Sequence, residues 1–212
     1  MTTVPRSGED LFALAPVMPV VVLENAEDAV PVARALVAGG LPGIEITLRT
    51  PAALDAIERI AKEVPEAAVG AGTVVTAEQA EAATKAGARF LVSPGCTPDL
   101  ARAMTDTGLP TLPGVATVSE AMTLLDLGLT ALKFFPAEAS GGARFLKSLG
   151  GPLPQVRFCP TGGITLQSAP DYLALPNVGC VGGSWLTPTD LVAGARWDDI
   201  MALAREAAAL RS

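Results

Sequence analysis

With no histidine among its 212 residues, the chain must draw acid–base or nucleophilic chemistry from lysine, carboxylates, hydroxyls and thiols. The stretch ALKFFPAE, residues 131–138, sets Lys133 between Leu132 and Phe134 in a run that otherwise reads as a buried strand ended by Pro136. An ammonium in apolar company costs several kcal/mol unless it is paired or gives up its proton. A buried amine that loses its proton is a nucleophile toward carbonyl carbon, forming a carbinolamine and then a protonated imine. That imine is an electron sink, so a neighbouring C–C bond can break or form through an enamine. The proton transfers need a nearby acid–base group, and Glu45 in the stretch GIEIT is the candidate. Arg49, four residues on, can grip the carboxylate of an α-keto acid with two N–H donors.

Parity supports this grouping. Alternate residues of a strand face opposite sides, so Glu45, Thr47 and Arg49 share one face and Ile44, Ile46 and Leu48 the other. Likewise Ala131, Lys133 and Phe135 point one way, Leu132 and Phe134 the other. The third apolar run ends GAGT, with Thr73 at its rim; the fourth ends SPG (93–95), the seventh PTGG (160–163) and the eighth GGS (182–184). Glycines after the seventh and eighth strands suit a phosphate group, because their backbone N–H groups can approach an anion closely, and Ser184 adds a hydroxyl. Each feature has a plainer reading. Lys133 can be a structural lysine paired with Glu45, Arg49 an ordinary surface guanidinium, and the glycines mere turns. Cys159 and Cys180 read as packing residues.

The elements that must hold these residues recur with a steady period. Runs centred near residues 20, 45, 69, 90, 111, 132, 157 and 180 are spaced by about 21 to 25 residues, enough for a strand, a loop and a short helix. Asn25 precedes one helix, with Pro31 near its first turns; Thr50–Pro51 reads as an N-cap with proline at the first helical position. Thr76 with Gln79 and Thr117 with Glu120 are candidate capping boxes. Gly87, Gly108 and Gly128 stand where helix C-terminal glycines belong, and a last helix spans about 198–210. Strand–helix alternation implies parallel pairing, and eight strands close a TIM barrel. The expected fold is α/β, a single (β/α)8 TIM-barrel domain over 1–212, with strands from about 17 to 184 and an N-terminal helix at GEDLFAL. An open doubly wound sheet competes, but no GxGxxG follows the first strand.

Composition narrows the partners. A formal charge of −7 with no basic run argues against nucleic acid and anionic membrane surfaces. Nothing reaches the roughly 18 apolar residues of a membrane span, and the opening MTTVPRSGEDLFALAPV lacks a basic start followed by an apolar core. Three cysteines without a CxxC fit a reduced, cytoplasmic protein. A small-molecule substrate and no metal are expected.

The motifs EITLRT, VGAGTV, SPG, LKFFPAEA, VRFCPTGGI and GGSWL closely resemble the 2-keto-3-deoxy-6-phosphogluconate (KDPG) aldolases, from about residue 9 to 210, in order and in one frame. These are class I enzymes of the Entner–Doudoroff pathway, many of which also cleave 4-hydroxy-2-oxoglutarate (KHG). The resemblance implies that Lys133 forms the Schiff base and Glu45 is the general acid/base. It further implies that Arg49 and Thr73 hold the pyruvyl carboxylate, with Thr161 close to the reacting carbons. Gly162, Gly163, Gly182, Gly183 and Ser184 would line the phosphate site, Pro94 and Phe135 the pocket walls. It also implies a homotrimer, and no cofactor beyond the covalent imine. Two other classes remain open: a phosphosugar isomerase or epimerase using Lys133 electrostatically, and a non-catalytic barrel serving as a scaffold. A metal-dependent epimerase would need histidine ligands that the chain lacks. A scaffold has no reason to keep Lys133, Glu45 and Arg49 on one parity.

Overall fold

A computed structural model of the protein describes residues 5–211. Short helix α1 (Gly8–Leu14) leads into strands and helices in turn: β1 (Val17–Val21), α2 (Ala29–Ala38), β2 (Gly43–Thr47), α3 (Ala53–Glu63), β3 (Ala68–Gly72), α4 (Ala77–Lys85), β4 (Leu91–Val92) and α5 (Pro98–Asp106). The chain continues through β5 (Thr111–Leu112), β6 (Gly114–Val115), α6 (Val118–Asp126), β7 (Ala131–Phe134), α7 (Gly142–Leu149), β8 (Arg157–Pro160), α8 (Ala169–Leu173), β9 (Val181–Gly183), α9 (Thr189–Ala193) and α10 (Trp197–Ala208). All pairings between strands are parallel, in one sheet of order β5-β4-β3-β2-β1-β9 and another of order β6-β7-β8. Isolated parallel bridges, Phe158 to Val178 and Thr161 to Gly182, join the far edges of the two sheets.

Nine strands stand where eight were expected, because the fifth run is divided at Pro113. Proline has no N–H to give to a ladder, so Thr111–Leu112 pairs with β4 on one side and Gly114–Val115 with β7 on the other. The carbonyl of Pro113 still accepts from the Lys133 N–H at 2.9 Å.

Strand parity sorts the apolar residues into two cores. The larger lies between strands and helices and contains Ile44, Ile46, Leu132 and Phe134, the residues read from the sequence as helix-facing. Helix α3 meets it with Ala53, Ala56, Ile57 and Ile60, a 0, 3, 4, 7 spacing that puts all four on one face. The smaller core draws on both sheets, through Met18, Val92, Leu112, Ala131 and Cys159, together with Leu11 and Phe12 of α1. Burying each of those two α1 side chains contributes about 1.5–3 kcal/mol. Helix α1 therefore covers the N-terminal ends of the strands. Its Glu9 bonds Arg157, the first residue of β8, at 2.9 Å, and Ser7 and Asp10 form a reciprocal capping box. The C-terminal strand ends are left for chemistry.

Local signals held in part. Thr117 and Glu120 form the expected capping box, and Gly87, Gly108 and Gly128 have φ of 93°, 76° and 81° just past their helices. Thr76 does cap α4, but the Gln79 side chain accepts from Val75 N, one residue short of a reciprocal box. Thr50 is not an N-cap. Its hydroxyl donates instead to the Leu23 carbonyl at 2.6 Å, and α3 starts three residues later. After Asn25 comes a 3-10 turn before α2, without a side-chain cap. The final helix ends at Ala208 and tightens into a 3-10 turn. No helix among the described residues is long and apolar enough to cross a membrane.

Candidate active site

Glu45, at the middle of β2, and Lys133, on β7, come from different sheets and are 88 residues apart, yet Lys133 Nζ donates to Glu45 Oε1 at 3.1 Å. Both side chains are almost wholly buried, 4% and 3% exposed. The structural reading and the catalytic one thus share the same pair. Removing either partner of a buried ion pair leaves an uncompensated charge, at about 3–5 kcal/mol. Such a pair is retained at low cost only where its geometry is well satisfied. Ala131, two residues before Lys133 on the same face, and Cys159, paired with Lys133 in the β7–β8 register, belong to the smaller core. Lys133 Nζ also lies 5.4 Å from the centroid of the half-buried Phe135 ring, within cation–π range.

Glycine makes room for the carboxylate. A Cβ on Gly72, at the end of β3, would stand 2.1 Å from Glu45 Oε1 and 2.4 Å from its Cγ. Any side chain there would displace Glu45. The next residue, Thr73, is strained: its φ of 59° is left-handed, an outlier for a β-branched residue and worth about 1–3 kcal/mol. In this conformation Thr73 Oγ1 accepts from Arg49 Nε at 3.1 Å. Arg49 lies two residues beyond β2 and is exposed. The structure thus joins Lys133 with Glu45 within β7 and β2 and, separately, Arg49 with Thr73 just past the C-terminal ends of β2 and β3.

The remaining expected residues occupy neighbouring strand ends. Thr161 is buried just past β8, where it bridges to Gly182 of β9. Gly162 and Gly163 follow with φ of 102° and 81°, and Gly163 packs so tightly on Glu138 that a Cβ would meet its Cγ at 2.7 Å. Gly183 is buried, Ser184 exposed one residue past β9. Pro94, half-buried in the loop after β4, lies with its backbone against Gly114. Cys159 and Cys180 both belong to the inner core, as packing residues. No cluster of three or more metal-ligating side chains occurs among the described residues.

Sequence reading missed three features here. Gly72 and the strain at Thr73 lie inside a motif, GAGT, read only for its small size. The third is a bond from Tyr172 Oη to Glu138 Oε1 at 2.5 Å, linking α8 to the loop after β7. Burial, and then the neighbouring carboxylate, push the Tyr172 phenol far above its usual range, so it remains a neutral donor. Only the 34-residue separation of the two kept this bond out of sight.

A parallel α/β protein with a buried amine–carboxylate pair between its two sheets belongs to a class fitted for carbonyl chemistry without histidine. The family of KDPG and KHG aldolases matches residues 9–203. The KHG/KDPG aldolase of Escherichia coli K12 is 54% identical over 201 residues, 95% of this chain and 94% of that protein. The KDPG aldolase of Legionella pneumophila, solved with pyruvate captured at low pH as a covalent carbinolamine, superposes with a TM-score of 0.93 at 46% identity, covering 95% of this chain and 98% of that one. The Zymomonas mobilis ZM4 enzyme, solved with 3-phosphoglycerate, gives a TM-score of 0.91 at 53% identity over 97% of this chain and 96% of that one. The chain belongs to the KDPG/KHG aldolase family.

Proposed function

We propose that the protein is a class I aldolase that reversibly cleaves KDPG to pyruvate and glyceraldehyde 3-phosphate, and KHG to pyruvate and glyoxylate as a second activity. The observation that carries this reading is the buried Lys133–Glu45 contact at 3.1 Å. Proton transfer from Nζ to the carboxylate frees the amine lone pair beside its own acid–base partner. The amine adds to C2 of the keto acid, Glu45 protonates the departing hydroxyl, and loss of water gives the protonated imine. Glu45 then removes the proton of the C4 hydroxyl. The C3–C4 bond breaks, the aldehyde leaves, and the bonding pair passes to the imine nitrogen as an enamine. Protonation at C3 and addition of water release pyruvate and regenerate the amine.

Arg49, oriented through Nε by Thr73, is assigned the substrate carboxylate, with its terminal nitrogens forming the fork. Thr161 is assigned a place beside the reacting carbons, Phe135 and Pro94 the walls. Gly162, Gly163, Gly182, Gly183 and Ser184 are assigned the phosphate through backbone N–H groups and one hydroxyl. The imine supplies the electron sink, so no metal is needed.

The same reading extends to architecture and setting. A contact between side chains of the two sheets, the edge bridges and the division at Pro113 alone support a closed (β/α)8 barrel plugged by α1, as one domain over 1–212. A soluble cytoplasmic protein without nucleic-acid or membrane partners fits the acidic composition, and the homotrimer is carried over from the family resemblance.

Borohydride trapping tests the core of the proposal. Incubation with pyruvate and borohydride should add one reduced pyruvyl group, located by peptide mass on the fragment carrying Lys133. An unmodified protein, or a label on another lysine, would overturn it. An epimerase or scaffold gains no mass.

A further inference from the structure

Glu138 takes no part in the reaction just described, yet it is fastened to the turn assigned to the phosphate. Its backbone N–H donates to the Gly162 carbonyl at 3.1 Å, and Ala137 N donates to Thr161 O at 2.8 Å. Its Cβ and Cγ press on Gly163, within 2.8 and 2.7 Å of where a Cβ would stand. Its carboxylate is drawn the other way, to the Tyr172 hydroxyl. Tyr172 belongs to the larger core between strands and helices. Beside this contact is a cavity of about 390 Å³, whose lining includes Glu138, Gly142, Arg144, Asp171 and Tyr172.

The placement raises an electrostatic problem. A phosphate dianion held by Gly162 and Gly163 has no lysine or arginine within PTGG or GGS to offset a neighbouring carboxylate. Like charges at such range disfavour binding unless one is turned away or otherwise satisfied. We propose that Tyr172 is a specificity-determining positioning residue: it holds the Glu138 carboxylate toward the helix layer, off the phosphate side of the Gly162–Gly163 turn, so that the turn accepts a phosphorylated substrate. This rests on the assignment of the phosphate to that turn. The other charged groups that line this cavity are Arg144 and Asp171, of opposite sign.

The test compares KM for KDPG with the rate of pyruvate–solvent deuterium exchange, a phosphate-free reaction of the same imine. Tyr172→Phe keeps the buried ring and removes only the hydroxyl. It should raise KM for KDPG by about tenfold, through the repulsion between the freed carboxylate and the phosphate, and leave pyruvate exchange unchanged. The rise should shrink with added salt, because the freed carboxylate acts through its charge. Glu138→Gln in the Tyr172→Phe background should restore KM to near the wild-type value, and Glu138→Gln alone should leave it there. Ser184→Ala, measured alongside, separates the two ideas. A selective loss on KDPG in Ser184→Ala, with none in Tyr172→Phe, would overturn the role of Tyr172 and leave the phosphate assignment standing. Equal losses of KDPG cleavage and exchange in Tyr172→Phe, or no rescue by Glu138→Gln, would mark Tyr172 as merely structural. If Ser184→Ala shows no selective loss, the phosphate assignment falls and this proposal falls with it.

Discussion

At the Lys133 end of the site the working atoms belong to charged side chains, buried as a pair at 3.1 Å and fitted against a glycine that leaves no spare room. At the glycine-loop end, after β8 and β9, the polar atoms belong to the backbone, with the exposed Ser184 hydroxyl as the side chain nearest in sequence. On the proposed mechanism the first end concentrates its effect in single groups and the second spreads it over several modest donors. Substitutions should therefore be catastrophic at one end and graded at the other.

The sharpest break is Lys133→Ala. No other amine lies in the buried interior among the described residues, so turnover should fall by many orders of magnitude and borohydride labelling should vanish. The substitution also strands Glu45, so unfolding in urea should show a loss of about 3–5 kcal/mol. Lys133→Ala/Glu45→Gln should recover part of that stability without activity. Substantial lyase activity in a folded Lys133→Ala variant would erase the contrast between the two ends.

Glu45→Gln keeps shape and removes acid–base function, so pyruvate–solvent deuterium exchange should slow by about 10²–10⁴-fold. Labelling should survive in part, separating imine formation from proton transfer. Exchange at near the wild-type rate would remove Glu45 from the mechanism.

Gly72→Ala asks whether placement alone matters. Its Cβ would occupy space 2.1 Å from Glu45 Oε1, and a displacement of that order should lower kcat by about 10²-fold with little change in KM for KDPG. Unchanged kcat would mean that Glu45 tolerates the shift, and that the tight fit is incidental.

At the other end, Ser184→Ala should reduce kcat/KM for KDPG by only about tenfold, the loss of one hydrogen bond to a charged acceptor. KHG carries no phosphate and should be spared. Matching losses on both substrates would place Ser184 in support of the whole site. The smallest expected effect is none: dialysis against EDTA should leave activity intact, and a large loss restored by zinc or magnesium would replace the imine with a metal as electron sink.

The sequence by itself determined the parallel strand–helix alternation, the two-faced parity of β2 and β7, and the candidates Lys133, Glu45 and Arg49. Each is a local property: the side-chain alternation of a strand repeats every two residues, and an ammonium within an apolar run stands out wherever that run ends up. The helix glycines Gly87, Gly108 and Gly128 were legible for the same reason, since a left-handed residue after a helix is a local demand. Local signals misled at Thr50, whose hydroxyl found the Leu23 carbonyl across the fold, and at Pro113, where one expected strand became two. What only the tertiary structure decided is contact between distant segments. Gly72 under the Glu45 carboxylate, the strained Thr73 against Arg49, Leu11 and Phe12 in the inner core, and the Tyr172–Glu138 bond all depend on packing. Nothing in a segment's own composition specifies its neighbour across the sheet, because that choice is made by burying many surfaces at once.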